Sequence, residues 1–226
     1  MSTLGLGFSE FDFESACAAL RQDRPPTPGE GYEFFTESHD VKIYRNFDSD
    51  SGLYQYKIYG ILDDVLPEVC AQVYMDLEYR KTWDSFVKEL KEIPTRGGTA
   101  IYWEVNFPWP MSNRDYVYAR ELRELEIDGQ KVWVILVKAV TLSEVPEKPG
   151  VVRVTDYVQT CALTSDGKRG SKAYMKYFDN PGGSIPTWLI NWGAKTGVPK
   201  FLSQMQTACR CYPKYDAHSQ SGNGRE

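Results

Sequence analysis

Apolar residues recur along this chain with two periods, and the switches between them mark out its elements. Ser9 is a good helix N-cap, Asp12 stands in the capping-box position, and Phe8 and Phe13 have the spacing of a hydrophobic staple. Phe13, Ala16, Cys17 and Leu20 then fall at i, i+3, i+4 and i+7, one apolar stripe for a first helix. Asp23–Gly31 (DRPPTPGEG) is rich in breakers and predicts a loop. Alternation takes over in Tyr32–Glu37, Val41–Phe47 and Leu53–Ile61, with Asp48–Gly52 as a hairpin connection. In the third of these strands Leu53, Gln55, Lys57 and Tyr59 face one way, and Tyr54, Tyr56 and Ile58 the other. Helical spacing returns over Val65–Met75 and Glu78–Leu90. Strands resume at Thr99–Phe107, Asp115–Leu125, Lys131–Thr141, Val151–Thr164 and Ser171–Phe178, with Asp128-Gly129 and Asp166-Gly167 as tight-turn signals. Asn180-Pro181-Gly182-Gly183 closes the series. A last helix is predicted from about Ile185 to Arg210, broken near Gly197-Val198-Pro199.

That order predicts an α+β protein with a curved, largely antiparallel sheet and a long helix over one face. A chain of 226 residues supplies one sizeable core, here residues 8–212 as a single domain. The polar segment 213–226, which contains SGNG, predicts a disordered tail. Hydrophobic residues at 42% and charged residues at 25% are the mix of a folded protein in water. A net charge of -5, with no basic tract longer than a dipeptide, excludes general nucleic-acid binding. The five cysteines are scattered and the histidines are two, so a zinc site is not expected and free thiols in a reducing cytosol are. Met1–Gly7 has no basic segment followed by an apolar run, and the longest apolar stretches fall short of a membrane span. The expected setting is cytoplasmic.

Candidate chemistry is sparse. His39 and His218 fall in a loop and in the tail, and no nucleophile elbow, phosphate loop or dinucleotide fingerprint occurs, so neither catalysis nor a cofactor is expected. Charged residues on the strands read as solvated faces. On Glu78–Leu90, helical spacing makes Trp83, Phe86, Val87 and Leu90 the apolar stripe and puts Arg80, Trp83, Asp84 and Val87 on one side. Two readings stay open for Arg80 and Asp84: an inward pair whose spare guanidinium donors hold a phosphate, or a half-exposed surface ion pair. Trp103 shares a strand face with Ile101, Val105 and Phe107, Tyr116 with Tyr118, and Tyr157 with Gln159. Those aromatics are either plain core or a cage for a quaternary ammonium. Trp188, Leu189 and Trp192, followed by Phe201, Leu202 and Met205 with Lys195 and Lys200 nearby, either pack on the sheet, touch a membrane interface, or do both as a lid.

The strings RKTWDSFVKEL (Arg80–Leu90), YWEVNFPWPMSNRDYVYAR (Tyr102–Arg120) and SDGKRGSKAYMKYFDNPGGSIPTWLINWGAKTGVPKFL (Ser165–Leu202) resemble the START lipid-binding family. PMSNRDYVY (Pro110–Tyr118) and FDNPGG-IP-WLINW (Phe178–Trp192) are long, low-degeneracy matches, and the resemblance spans residues 8–212. It implies the helix-grip fold, with a lipid tunnel enclosed by the sheet and covered by the C-terminal helix. It further implies a carrier that moves one phosphatidylcholine molecule between membranes as cargo, touching their surfaces transiently. Under it Arg80 binds the lipid phosphate with Asp84 as its buried partner. Trp103, Tyr116 and Tyr157 match choline-facing aromatic positions, and Tyr74 and Gln159 match positions near the glycerol and phosphate. Trp188, Trp192, Lys195 and Phe201 are the expected lid and membrane contact. A carrier of sterol or ceramide, an enzyme on the same fold, and a lipid-sensing module are the alternatives.

Overall fold

A computed structural model describes residues 7–21, 26, 30–183 and 185–222. The loop expected over Asp23–Gly31 lies mostly outside the described residues. Helix α1 (Glu10–Arg21) begins as its sequence dictates: Ser9 N–H donates to Asp12 Oδ2 at 2.8 Å, and Asp12 N–H to Ser9 Oγ at 3.3 Å. Phe13, Ala16, Cys17 and Leu20 are its buried residues. Strands β1 (Glu33–Ser38), β2 (Val41–Asp48) and β3 (Leu53–Leu62) follow, then helices α2 (Pro67–Met75) and α3 (Leu77–Trp83). The remaining strands are β4 (Val87–Thr95), β5 (Gly98–Val105), β6 (Asn113–Ile127), β7 (Gln130–Ala139), β8 (Val151–Val154), β9 (Tyr157–Ser165) and β10 (Ser171–Asp179). Helix α4 (Thr187–Trp192), a π-helical turn (Gly193–Gly197) and helix α5 (Val198–Gly222) close the chain.

All strands join one curved sheet in the order β1-β2-β3-β10-β9-β7-β6-β5-β4, antiparallel throughout that path, with β8 added parallel to β6. Bulges at Phe34/Thr36 and Val87/Glu89 fall in the two edge strands, where such irregularities bend a sheet. The β6–β7 turn works because Asp128 and Gly129 both take positive φ (52° and 75°), as a two-residue hairpin turn requires. The pleat then sorts side chains to two faces. Outward residues Val132, Val134, Leu136, Ala162 and Tyr174 pack on α1. Inward residues Ile101, Tyr116, Tyr118, Ile135, Val137, Tyr157, Cys161 and Leu163 pack with α2, α3 and α5 into the main core. The two faces read for the third strand are found: Tyr56 meets inward Tyr177, and Tyr59 meets outward Tyr174.

Several expectations are corrected. The helix predicted over Glu78–Leu90 stops at Trp83, and Val87–Thr95 is an edge strand paired to β5. Asp84 takes an extended backbone (φ -81°, ψ 98°), and its Oδ1 accepts the Phe86 N–H at 3.0 Å. A short acceptor side chain thereby offers the backbone an alternative to the next helical turn. Val151–Thr164 is two strands, because β8 leaves the β9 line to pair with β6. The C-terminal helix is not broken near Gly197. Its ladder widens, with Val198 N–H bonding Gly193 O five residues back, a π turn that absorbs Pro199 without a break. Helix α5 also continues to Gly222, so 213–222 is not a disordered tail; extending an existing helix avoids the cost of nucleation.

The strand charges are corrected too. Glu104, Arg114 and Asp115 are buried, not solvated. Asp115 is fully buried under a two-pronged bond from Arg153 of β8 (2.8 and 2.9 Å). Arg114 stacks on Phe107 and donates to the carbonyls of Ser112, Pro181 and Gly182, tying the β5–β6 loop to the turn after β10. Asn113 holds Glu104 and the Phe107 N–H. The long motif around Asn113–Asp115 is thus a structural joint that aims Tyr116 and Tyr118 inward.

Candidate functional site

Arg80 and Asp84 form the inward pair. Arg80 Nε donates to Asp84 Oδ2 at 3.0 Å, with the side chains 7% and 1% exposed, which settles against the surface reading. Burial works to strip the guanidinium of its charge, but Asp84, Tyr118 and Tyr74 outweigh it and hold the group above its ordinary value. Among the described residues Nε has the one acceptor, and the two terminal amino groups have none. The guanidinium lies over the Trp103 ring at 4.6 Å and borders a void of about 10 Å³ lined by Val73, Tyr74, Trp83, Phe201 and Met205. A cation whose charge is kept inside a protein, with four N–H groups unspent, has the chemistry to hold an anion with several oxygens.

Beside it the aromatic rings converge. Trp103 of β5 stacks on Tyr116 of β6 (5.0 Å, 30°), and Tyr116 meets Tyr157 of β9 edge-on (5.1 Å, 70°). Tyr118 and Tyr177 flank Tyr157, each at 5.7 Å. Tyr157 donates to Gln159 Oε1 at 3.1 Å, and Gln159 Nε2 donates to the Tyr74 hydroxyl at 2.6 Å, linking the sheet to α2. Helix α2 is held in turn by Arg120, which donates to the carbonyls of Tyr74 and Met75 at its C-terminal end. The indole N–H groups of Trp83 and Trp103 are buried with no partner among the described residues. Buried donors normally find acceptors, so two orphans beside Arg80 point to a ligand rich in oxygen.

These residues come from seven elements, α2, α3, α5, β5, β6, β9 and β10, and a family pattern accompanies the geometry. The START domain profile matches residues 30–214. The chain belongs to the START domain family. It is 54% identical to phosphatidylcholine transfer protein from Bos taurus and 51% to that from Homo sapiens, each over 92% of this chain and 96% of the relative. It is 33% identical to mitochondrial StAR-related lipid transfer protein 7 from Mus musculus, over 89% of this chain and 55% of that one. The crystal structure of human STARD10 superposes with a TM-score of 0.76 over 98% of this chain and 89% of that chain at 24% identity, and human StAR-related lipid transfer protein 5 at 0.67 over 91% and 99% at 16%. This START domain therefore has the helix-grip fold expected from the sequence.

The structure brings together all seven predicted binding residues: Tyr74, Arg80, Asp84, Trp103, Tyr116, Tyr157 and Gln159. The four expected lid residues separate. Phe201 faces inward against Trp83 (5.9 Å) and helps roof the void beside Arg80. Trp192 is half-buried on Phe86 (6.1 Å), while Trp188 and Lys195 are exposed. Sequence reasoning missed Trp109, which is 90% exposed in the β5–β6 loop. That loop abuts the same end of the START domain, since Asn106 N–H bonds Phe86 O and Phe86 in turn touches Trp192. Its flanking prolines (FPWPM) were the available signal, because they hold an apolar tip out of any ladder.

Proposed function

We propose that this START domain extracts one phosphatidylcholine molecule from a membrane, encloses it between the sheet and α5, and releases it at another membrane. The observation that carries the reading is a buried guanidinium with its terminal amino groups unspent, one ring away from a convergent aromatic cage. Phosphocholine is the complement of that pair. Its phosphate accepts from Arg80, with Tyr74, Gln159 and the two indole N–H groups near, and its quaternary ammonium sits among the π-faces of Trp103, Tyr116 and Tyr157. Asp84 keeps Arg80 charged and aimed.

The work of a carrier is physical, with no bond made or broken. A diacyl lipid has about thirty methylenes at about 0.8 kcal/mol each, so its bare exit into water costs on the order of 20 kcal/mol. The enclosure removes most of that barrier by giving the chains an apolar wall before they leave the bilayer. Tails are common to all phospholipids, so choice falls to the headgroup site. A primary ammonium is strongly hydrated and loses more in the cage than a quaternary one does. Trp109, Trp188 and Lys195 mark the end that docks on the membrane, and α5 with its π turn is the element that loosens there. In this reading the protein works in the cytoplasm and needs no cofactor. Native mass spectrometry of the purified protein, with a vesicle-to-vesicle assay, is the test: a phosphatidylcholine adduct and transfer of that lipid support it. A sterol or ceramide adduct, or no transfer, refutes it.

A further inference from the structure

Asp179, the last residue of β10, is used neither by the phosphate reading nor by the cage, and it touches the cage directly. The Tyr116 hydroxyl donates to its Oδ2 at 2.8 Å, and the same Tyr116 ring stacks on Trp103 and meets Tyr157 edge-on. Across the ladder Asp179 pairs with Tyr157, and the Tyr177 phenol, two residues back on the same strand face, lies near the carboxylate. One neutral phenol thus holds it and a second flanks it. Among the described residues no cationic nitrogen lies within ion-pairing distance of it. Arg114 is the positive charge that acts on it through space, but its donors go to three carbonyls while its plane lies on Phe107. Asp156 adds a like charge from the β8–β9 connection, and Tyr56 of β3 faces the same carboxylate.

We infer that the Asp179 carboxylate is the counter-charge to the choline ammonium, closing the headgroup site at the end opposite Arg80. The inference rests on the phosphatidylcholine reading above. Arg80, Trp103, Tyr116 and Asp179 form a row: guanidinium to indole 4.6 Å, indole to phenol 5.0 Å, phenol oxygen to carboxylate 2.8 Å. The row thus ends in a cation and a carboxylic group, the mirror of a zwitterionic phosphocholine. A half-buried carboxylate with no cation, and a quaternary ammonium leaving water, each lack what the other supplies.

Protonation is linked to uptake. Burial pushes the Asp179 carboxyl above the usual range, and the phenols of Tyr116 and Tyr177 and the charge of Arg114 restore only part of the shift. Without cargo the acid form therefore persists to higher pH than in an ordinary aspartate. A cation in the cage favours the ionised form, so loading drives a proton from the carboxyl to the buffer. Affinity for phosphatidylcholine rises as pH climbs through that elevated pKa and levels off above it.

The experiment compares wild type with Asp179→Asn, which keeps the size and an acceptor for Tyr116, using a short-chain phosphatidylcholine below its micellar concentration. The expected result is a loss of affinity of about tenfold and a pH profile that becomes flat. Equal affinity and an unchanged pH profile in Asp179→Asn would overturn the inference while leaving the carrier reading intact. A wild type that binds no phosphatidylcholine sinks both. Should the variant not fold, calorimetry of the wild type in two buffers of different ionisation enthalpy decides. Proton release on binding supports the counter-charge, and none at any pH where the protein stays folded overturns it.

Discussion

Replacing Arg80 by glutamine separates what the buried ion pair does for the fold from what it does for the lipid. The two side chains are 7% and 1% exposed, and Asp84 has two partners, Arg80 Nε at 3.0 Å and the Phe86 N–H at 3.0 Å. Arg80→Gln leaves the carboxylate buried with one hydrogen bond and no counter-ion, a destabilisation of about 3–5 kcal/mol. For a chain of 226 residues, at roughly 2–4 °C per kcal/mol, the melting temperature falls by roughly 6–20 °C. Arg80→Gln/Asp84→Asn removes both charges and keeps an oxygen for the Phe86 N–H, so stability should return to within about 1 kcal/mol of wild type. Lipid uptake should not return. Two charge-assisted bonds to a phosphate at about 1.5–3 kcal/mol each correspond to a loss of at least about 100-fold. Urea denaturation measures the first quantity and phosphatidylcholine transfer between vesicles the second. A stable double variant that transfers the lipid at the wild-type rate would refute the reasoning, because the pair would then serve packing alone.

Trp103→Leu keeps an apolar side chain and removes one π-face, so phosphatidylcholine affinity should fall about 2- to 30-fold while affinity for a lipid without a quaternary ammonium changes little; equal losses for both would show a packing defect instead. Trp188→Ala/Lys195→Glu changes exposed groups, and should slow transfer from anionic vesicles and weaken flotation with them while binding of short-chain lipid is unchanged. Ser9→Ala removes the cap of α1 on the face away from the lipid site, for a loss of about 1 kcal/mol and normal transfer. The same variant should lose less stability on acidification. Ser9 holds the Asp12 carboxyl below its ordinary value, a contribution that is full above the unfolded carboxyl's pKa and disappears as pH falls through the lower folded one.

The sequence by itself determined what is decided over a few residues. Helix α1 was legible because its cap, its stripe and its staple span Phe8–Leu20, and the β6–β7 hairpin because Asp128-Gly129 has few other conformations available. The chemistry of the headgroup site was legible as residue types, since the resemblance supplied Arg80, Asp84 and the aromatics. Local pattern failed where two periods fit at once. Trp83, Phe86, Val87 and Leu90 satisfy helical spacing, yet Val87–Thr95 pairs with β5, and the choice belonged to a partner strand outside any window. Likewise nothing near Arg114, Asp115 or Asp179 distinguishes a solvated strand charge from an enclosed one. Arg153 on β8, the carbonyls after β10 and the ring of Tyr116 cover those charges, and they arrive from 38 or more residues away along the chain. Burial of a charge is a property of the neighbours that surround it, so the tertiary structure alone decides which polar residues become a binding site.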